Sequence, residues 1–216
     1  MAVLDRQLAP SSLRQQAIKA IRAAIVYGEL APQEVHSAPA LAARLGVSVT
    51  PIREALLELA ARGMVVAVRN RGFRVVEYTA QELNAALELR ALVELPMMAR
   101  VAGRISRAEL ARLRELAECG CEVARARELP AFLDLDRDFH LGLLAHAGNP
   151  RIVALVDELL DQLRFAPGAG AGGPSLDEVA YGHRAILEAI ASGDGAGAER
   201  HAHAHLELTR RSWLDA

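Results

Sequence analysis

Apolar positions run through this chain in two rhythms, and the change between them divides it. Leu13, Ala17, Ile21, Ala24 and Ile25 recur at helical spacing. Gly28 ends that run and Pro32 follows, which predicts a helix from Ser11 to Gly28. In Leu41–Gly63, LAARLGVSVTPIREALLELAARG, the helical pattern breaks in two. Leu41, Ala42 and Leu45 line a short first helix, and Gly46 can take the positive φ of a sharp turn. Ser48 or Thr50 can cap a second helix whose first turn tolerates Pro51. Leu56, Leu57 and Ala60 recur along it as far as Gly63. Two short helices joined by a tight turn containing Gly make the DNA-binding helix-turn-helix. Met64–Val68 and Phe73–Val76 are then β-prone runs joined by Arg69-Asn70-Arg71-Gly72, which predicts a hairpin. A helix-turn-helix followed by a hairpin is a winged helix. Its tip would place Arg69 and Arg71 against phosphates or the minor groove, and the plainer reading of that tip is a solvated turn.

Thr79-Ala80-Gln81-Glu82 is a capping box and sets a domain boundary near residue 78. Beyond it the helical period persists, with no convincing strand. The spacing predicts helices over 80–103, 106–127, 129–147, 150–165, 176–192 and 195–214. Pro96 should kink the first. Ser106 with Glu109 and Ser175 with Glu178 are further capping boxes, and Asn149-Pro150 is a cap with Pro at the first helical position. APGAGAGGP (166–174) predicts a flexible loop within this domain. The fold class is mainly α: a winged helix-turn-helix over 1–77 and an all-α bundle of six to seven helices over 78–216.

Composition sharpens the division. Apolar residues make up 52% of the 216, enough for real cores. The net charge of −2 hides an asymmetry: residues 1–76 carry ten Lys and Arg against five Asp and Glu, and the remainder fifteen against twenty-two. A basic N-terminal part suits nucleic acid. All basic residues but Lys19 are Arg, which reflects a general compositional bias. Cys119 and Cys121 would point about 200° apart on a helix and should not pair, as expected in a reducing cytosol. With no signal peptide and no long apolar run, a cytoplasmic protein without a membrane span is expected.

The candidate chemistry lies in the helical part. Asp136 and His140 are four apart, so a carboxylate and an imidazole share one helix face, beside Leu133, Leu143 and Leu144. His183 starts an apolar stripe with Ile186, Leu187 and Ile190, and His205 adjoins Leu206 and Leu208. Bundle cores build metal sites from such facing side chains. One Asp and three His would suit one divalent Zn, Ni, Mn, Co or Fe per chain, with positions left for water or ligand. On chemistry alone, hydrogen-bonded core histidines are the commoner reading, and His146, His201 and His203 compete for assignment.

Both halves resemble the GntR family of bacterial transcription regulators, in its FadR-like branch with the FCD effector domain. The N-terminal likeness covers IRAAIVYGELAP, LAARLGVSVTPIREAL and ARGMVVAVRNRGFRVV; the C-terminal likeness covers ELRALVE, DRDFHLGLLAHAGNP and GHRAILEAIASGD through His205. The resemblance implies that the metal ligands are Asp136, His140, His183 and His205, the 22-residue step between the last two matching the family's. It implies DNA contacts by Ser48, Thr50, Arg53, Arg69, Asn70 and Arg71. Three departures stand out. Val49 replaces a usual Arg, a typical base or phosphate contact. Ala38 and Pro39 replace polar or charged residues, and Pro39 falls in the first helix of the helix-turn-helix. Asn70 replaces a usual wing Gly, and Asn tolerates positive φ. Weaker or differently specified DNA binding is expected.

The resulting reading is a homodimeric repressor of double-stranded operator DNA, controlled by a small carboxylate that coordinates the metal. Arg90, Arg137 and Arg164 are candidates to clamp the effector's other end, although each is more simply surface charge. Two alternatives are a helical domain with a purely structural metal and a metal-dependent hydrolase, for which no dedicated nucleophile or base motif is evident.

Overall fold

The computed structural model describes residues 11–32, 34–165 and 175–213. The chain divides into two compact units, Met1–Glu77 and Tyr78–Ala216. The stretch 166–174, predicted as a flexible loop, lies outside the described residues.

The first unit contains helices α1 (Ser11–Val26), α2 (Ala38–Leu45) and α3 (Val49–Ala61), with strands β1 (Val35–His36), β2 (Val65–Val68) and β3 (Gly72–Val75). Its core joins Ile18, Ile21 and Ile25 of α1 to Ile52, Leu56 and Leu59 of α3. Gly46 turns the chain between α2 and α3 at φ 67°. Helix α2 begins three residues earlier than its apolar pattern suggests, because the Ser37 side chain caps it by accepting from the Ala40 N–H at 3.2 Å. Pro39 therefore sits in the first turn, where no intrahelical N–H bond is lost. Three expected apolar-face positions turn outward: Leu13 is 44% exposed, Leu45 40% and Leu57 56%. The buried face of α3 is Ile52, Ala55, Leu56 and Leu59.

Strands β2 and β3 form the hairpin, with Val65 opposite Val75 and Val68 opposite Gly72. Asn70 takes φ 59° at its tip. The third strand, β1, was not anticipated; it pairs antiparallel with the outer side of β3, His36 opposite Phe73. That pairing explains Gly72. A Cβ there would run into the carbonyl oxygen of His36, at a φ of 140° that side chains rarely adopt.

The second unit contains α4 (Ala80–Val101), α5 (Arg107–Arg125), α6 (Leu129–Ala145), α7 (Pro150–Leu163), α8 (Leu176–Ser192) and α9 (Gly195–Trp213), with no strand among the described residues. Helix α9 packs on α8 and α4, while α5 packs on α6 and α8. Leu113, Phe139, Leu143, Val156 and Ile186 are fully buried among these helices. The capping boxes at Thr79 and Ser175 are complete. The one expected at Ser106 is half formed: Ser106 accepts from the Glu109 N–H, but the Glu109 carboxylate accepts from Arg112 instead. Pro96 lies within α4, which continues past it to Val101. Cys119 is exposed, Cys121 is buried, and both are free. Among the described residues no helix is long and apolar enough to cross a membrane.

Candidate metal centre and nucleic-acid interface

In the first unit α3 and the hairpin tip present the candidate nucleic-acid groups. Ser48, Thr50 and Arg53 are exposed at the start of α3, and Arg69, Asn70 and Arg71 are exposed at the tip. The Ser48 hydroxyl caps none of α3's own N–H groups. Arg53, Arg69 and Arg71 make no ion pair among the described residues, so their guanidinium groups remain available. Val49, at the first position of α3, is half-buried. Leu57 lies one turn beyond Arg53 on the same exposed side and extends it with an apolar group. Its exposure was hidden by the apolar pattern, which gives no sign of which leucine in Leu56-Leu57 turns inward.

The second unit brings Asp136, His140, His183 and His205 together. Each offers one ligand atom, and these atoms all lie within 4.8 Å of one another. All four side chains are 4% exposed or less. Helix α6 supplies the first two because its buried face runs Phe132, Leu133, Asp136, Phe139, His140, Leu143. Helices α8 and α9 supply His183 and His205. Oδ1 of Asp136 lies 3.1 Å from Nε2 of His183, 3.7 Å from Nε2 of His140 and 3.9 Å from Nε2 of His205. The Phe139 ring lies against His183, centroids 4.1 Å apart. The competing histidines are elsewhere: His201 and His203 are exposed, and His146 faces Glu109 at 3.8 Å.

The outward nitrogens decide what the centre can hold. Nδ1 of His205 lies 3.2 Å from the Val179 carbonyl oxygen, which can only accept, so that nitrogen carries the proton. Nδ1 of His140 lies 2.9 Å from Oε2 of Glu94, an ion-pair distance without a well-angled hydrogen bond. Nε2 of His140 is hydrogen-bonded to Nε2 of His205 at 3.1 Å, beside the Asp136 carboxylate. Nε2 of His183 is buried there as well without a well-angled hydrogen bond. Three ring nitrogens and a carboxylate oxygen thus converge on one buried point, where a bound cation would take the place of the shared proton. Burial, with the neighbouring His183 and His140, pushes the pKa of His205 well below its usual value. Burial lowers His183 too, against a partial opposing pull from Asp136. Burial would raise Asp136, but His140, His183 and His205 outweigh it and hold the carboxylate well below its usual range. Neutral imidazoles and an ionised carboxylate are the protonation states that metals bind, so this donor set fits a divalent transition metal.

Glu94 was missing from the sequence reading. The signal that could have found it is its four-residue spacing from Arg90 on α4, where the two form a buried ion pair. Burial would raise the pKa of Glu94, but Arg90 and His140 bring it down to about 2. The three arginines considered as an effector clamp are all engaged. Arg90 pairs with Glu94. Arg137 donates to Asp157 at 2.6 Å. Arg164 donates to Asp134 at 2.7 Å and to the Leu133 carbonyl at 3.2 Å. Clamping a ligand with any of them would first break one of these contacts.

Residues 82–208 match the FCD domain family, and residues 13–75 match the gntR family of bacterial regulatory proteins. The chain is 34% identical over 128 residues to the Nta operon transcriptional regulator of Aminobacter aminovorans, covering 58% of this chain and 60% of that protein. It is 31% identical over 178 residues to an uncharacterized HTH-type transcriptional regulator in an unstable DNA locus of Streptomyces ambofaciens, covering 81% and 73%. In fold it is similar to the solved structure of McbR/YncC from Escherichia coli, with a TM-score of 0.74, 21% identity and coverage of 90% and 93%. These families and relatives are transcriptional regulators rather than enzymes, which sets aside the hydrolase alternative.

Proposed function

Because the chain belongs to the GntR family of bacterial transcriptional regulators and carries an FCD domain, we propose that it is a metal-dependent, carboxylate-responsive repressor acting as a cytoplasmic homodimer. Each α3 enters a major groove, and two-fold symmetry matches a palindromic operator. Arg53 reads a base edge, Ser48 and Thr50 hold the neighbouring backbone, and Arg69, Asn70 and Arg71 contact phosphates or the minor groove.

The observation that carries the sensor reading is the inward convergence of three Nε2 atoms and a carboxylate oxygen from α6, α8 and α9. Asp136, His140, His183 and His205 would hold one Zn, Ni, Mn, Co or Fe ion per chain. Such an ion, when bound, supplies a positive anchor for a carboxylate effector. A ligand shifts operator affinity only by binding the DNA-competent and DNA-incompetent arrangements with different strengths. Arg90 stands nearest the centre among the candidate clamps, behind Glu94, whereas Arg137 and Arg164 are held by aspartates of α6 and α7.

The near-complete burial of the four donors favours a second reading, a purely structural metal. Native mass spectrometry of protein purified without chelator is the first test, with one metal per chain in a dimer expected. Operator DNA selected from random duplexes is then titrated with and without metal and a panel of small carboxylates. A carboxylate response that vanishes with the metal supports the sensor. Loss of thermal stability alone supports the structural metal. A metal-free monomer refutes both the centre and the symmetric operator.

A further inference from the structure

We propose that Gly182 is a positioning residue for the centre. Its bare Cα lets the His205 ring lie against α8, and that seat aims Nε2 of His205 at the other three donors. The inference rests on the metal reading above.

A glycine inside a helix costs stability relative to alanine, because it gives up more backbone freedom on folding. Gly182 lies within α8, one residue before His183. A Cβ there would stand 2.9 Å from Nδ1 of His205, 3.3 Å from its Cβ and 3.5 Å from its Cγ, and it would meet these atoms before any other side chain. Ordinary contact begins near 3.4 Å, so a methyl would press the ring back by about 0.5 Å. The ring has little room to yield, because it is 1% exposed. Its Nδ1 donates to the Val179 carbonyl at 3.2 Å, one turn earlier on α8. The methyl would therefore meet the nitrogen that ties the ring to this helix. Toward the centre stand the His183 ring, centroids 4.6 Å apart, and Nε2 of His140, 3.1 Å from Nε2 of His205. Metal–donor distances tolerate only about 0.2 Å, less than the displacement a methyl would force. Gly120 of α5 supplies the contrast, since a Cβ there would meet nothing within 4 Å. The plainer alternative is that Gly182 only lets α8 and α9 pack closely, whatever residue stands at 205.

The test compares Gly182→Ala with Gly120→Ala in the full chain. One readout is Zn²⁺ affinity measured against a competing chelator. The other is the melting temperature of the metal-free helical unit, with and without His205→Ala. On helix propensity alone, each glycine replacement should raise that temperature by roughly 2–5 °C. Gly120→Ala should do so and leave Zn²⁺ affinity unchanged. Gly182→Ala should give no such rise and should weaken Zn²⁺ about 10–100-fold, the loss typical when a metal-bound histidine loses its orienting partner. With His205→Ala the obstructing ring is gone, and Gly182→Ala should become stabilising. Unchanged Zn²⁺ affinity in Gly182→Ala, or a melting penalty that persists without the His205 ring, would overturn the proposal. If His205→Ala does not fold, the 15N shift of His205 Nδ1 in metal-free Gly182→Ala takes its place. That signal should move as the Val179 hydrogen bond is lost, and an unmoved signal would overturn the proposal. If wild-type protein binds no Zn²⁺, the metal reading fails, and the melting temperatures still judge the contact between Gly182 and His205.

Discussion

Removing the metal should destabilise one half of this regulator and leave the other half alone. All four donors lie in Tyr78–Ala216, on α6, α8 and α9, and Met1–Glu77 contributes none among the described residues. A ligand that binds only the folded state stabilises it by RT ln(1 + [L]/Kd), about 2.7 kcal/mol at one hundred times Kd. For a unit of this size about 1 kcal/mol moves the melting temperature by roughly 2–5 °C. Chelation should therefore lower the melting of the helical unit by about 5–13 °C at that saturation. The four donors of the centre then lose the ion that ties α6, α8 and α9 together. Hydrogen exchange followed by mass spectrometry is the suitable assay, because it reports each unit separately in the intact chain. Amides of α6, α8 and α9 should lose protection on chelation and regain it with Zn²⁺, while amides of α1 and α3 stay unchanged. Equal loss in both units, or unchanged protection in α6, α8 and α9 after demonstrated metal removal, would refute the reasoning.

Three further outcomes are expected. Arg53→Ala should weaken binding to the selected operator, costing about 1–3 kcal/mol in discrimination at one base position without changing oligomeric state; unaltered specificity in a competition binding assay would remove Arg53 from the base-reading set. Gly72→Ala should destabilise the first unit by more than about 1 kcal/mol, through its positive φ and the His36 carbonyl, with little effect on metal content; denaturant unfolding of the full chain checks it. In metal-free protein the depressed pKa values of His183 and His205 mean that the unfolded state binds more protons below the ordinary histidine pKa of about 6.5. Stability contributed by these two residues is present at pH 7.5 and declines as pH falls through that value. The slope is at most about 1.4 kcal/mol per pH unit for each, and a flat unfolding free energy between pH 7 and 5.5 would contradict their burial in neutral form.

Much of this architecture is written in local signals. The six helices of the second unit are legible because each carries an apolar face at helical spacing and most begin at a recognisable cap, as at Thr79, Asn149 and Ser175. The hairpin is legible because Asn70 and Gly72 separate two β-prone runs. Such signals act over three or four residues, so a single chain segment suffices to display them. They also fail locally: Ser106-x-x-Glu109 looks like a complete capping box, yet Arg112 takes the Glu109 carboxylate. The residue types and helical spacing were enough to nominate Asp136, His140, His183 and His205, but chemistry alone left three other histidines in contention.

What the sequence by itself determined was the helices, the hairpin and the order in which they follow. Strand β1 needed the tertiary structure, because two residues carry no period and Val35–His36 exists only against β3. The outward turn of Leu57 needed it too, since either neighbour in Leu56-Leu57 could have faced α1. The convergence of α6, α8 and α9 on one point was decided there, as was the approach of Glu94 from α4 to the back of His140. Helical periodicity tells which face of a segment turns inward. Which side chains meet across the core depends on how several helices pack at once, and no single segment holds that information.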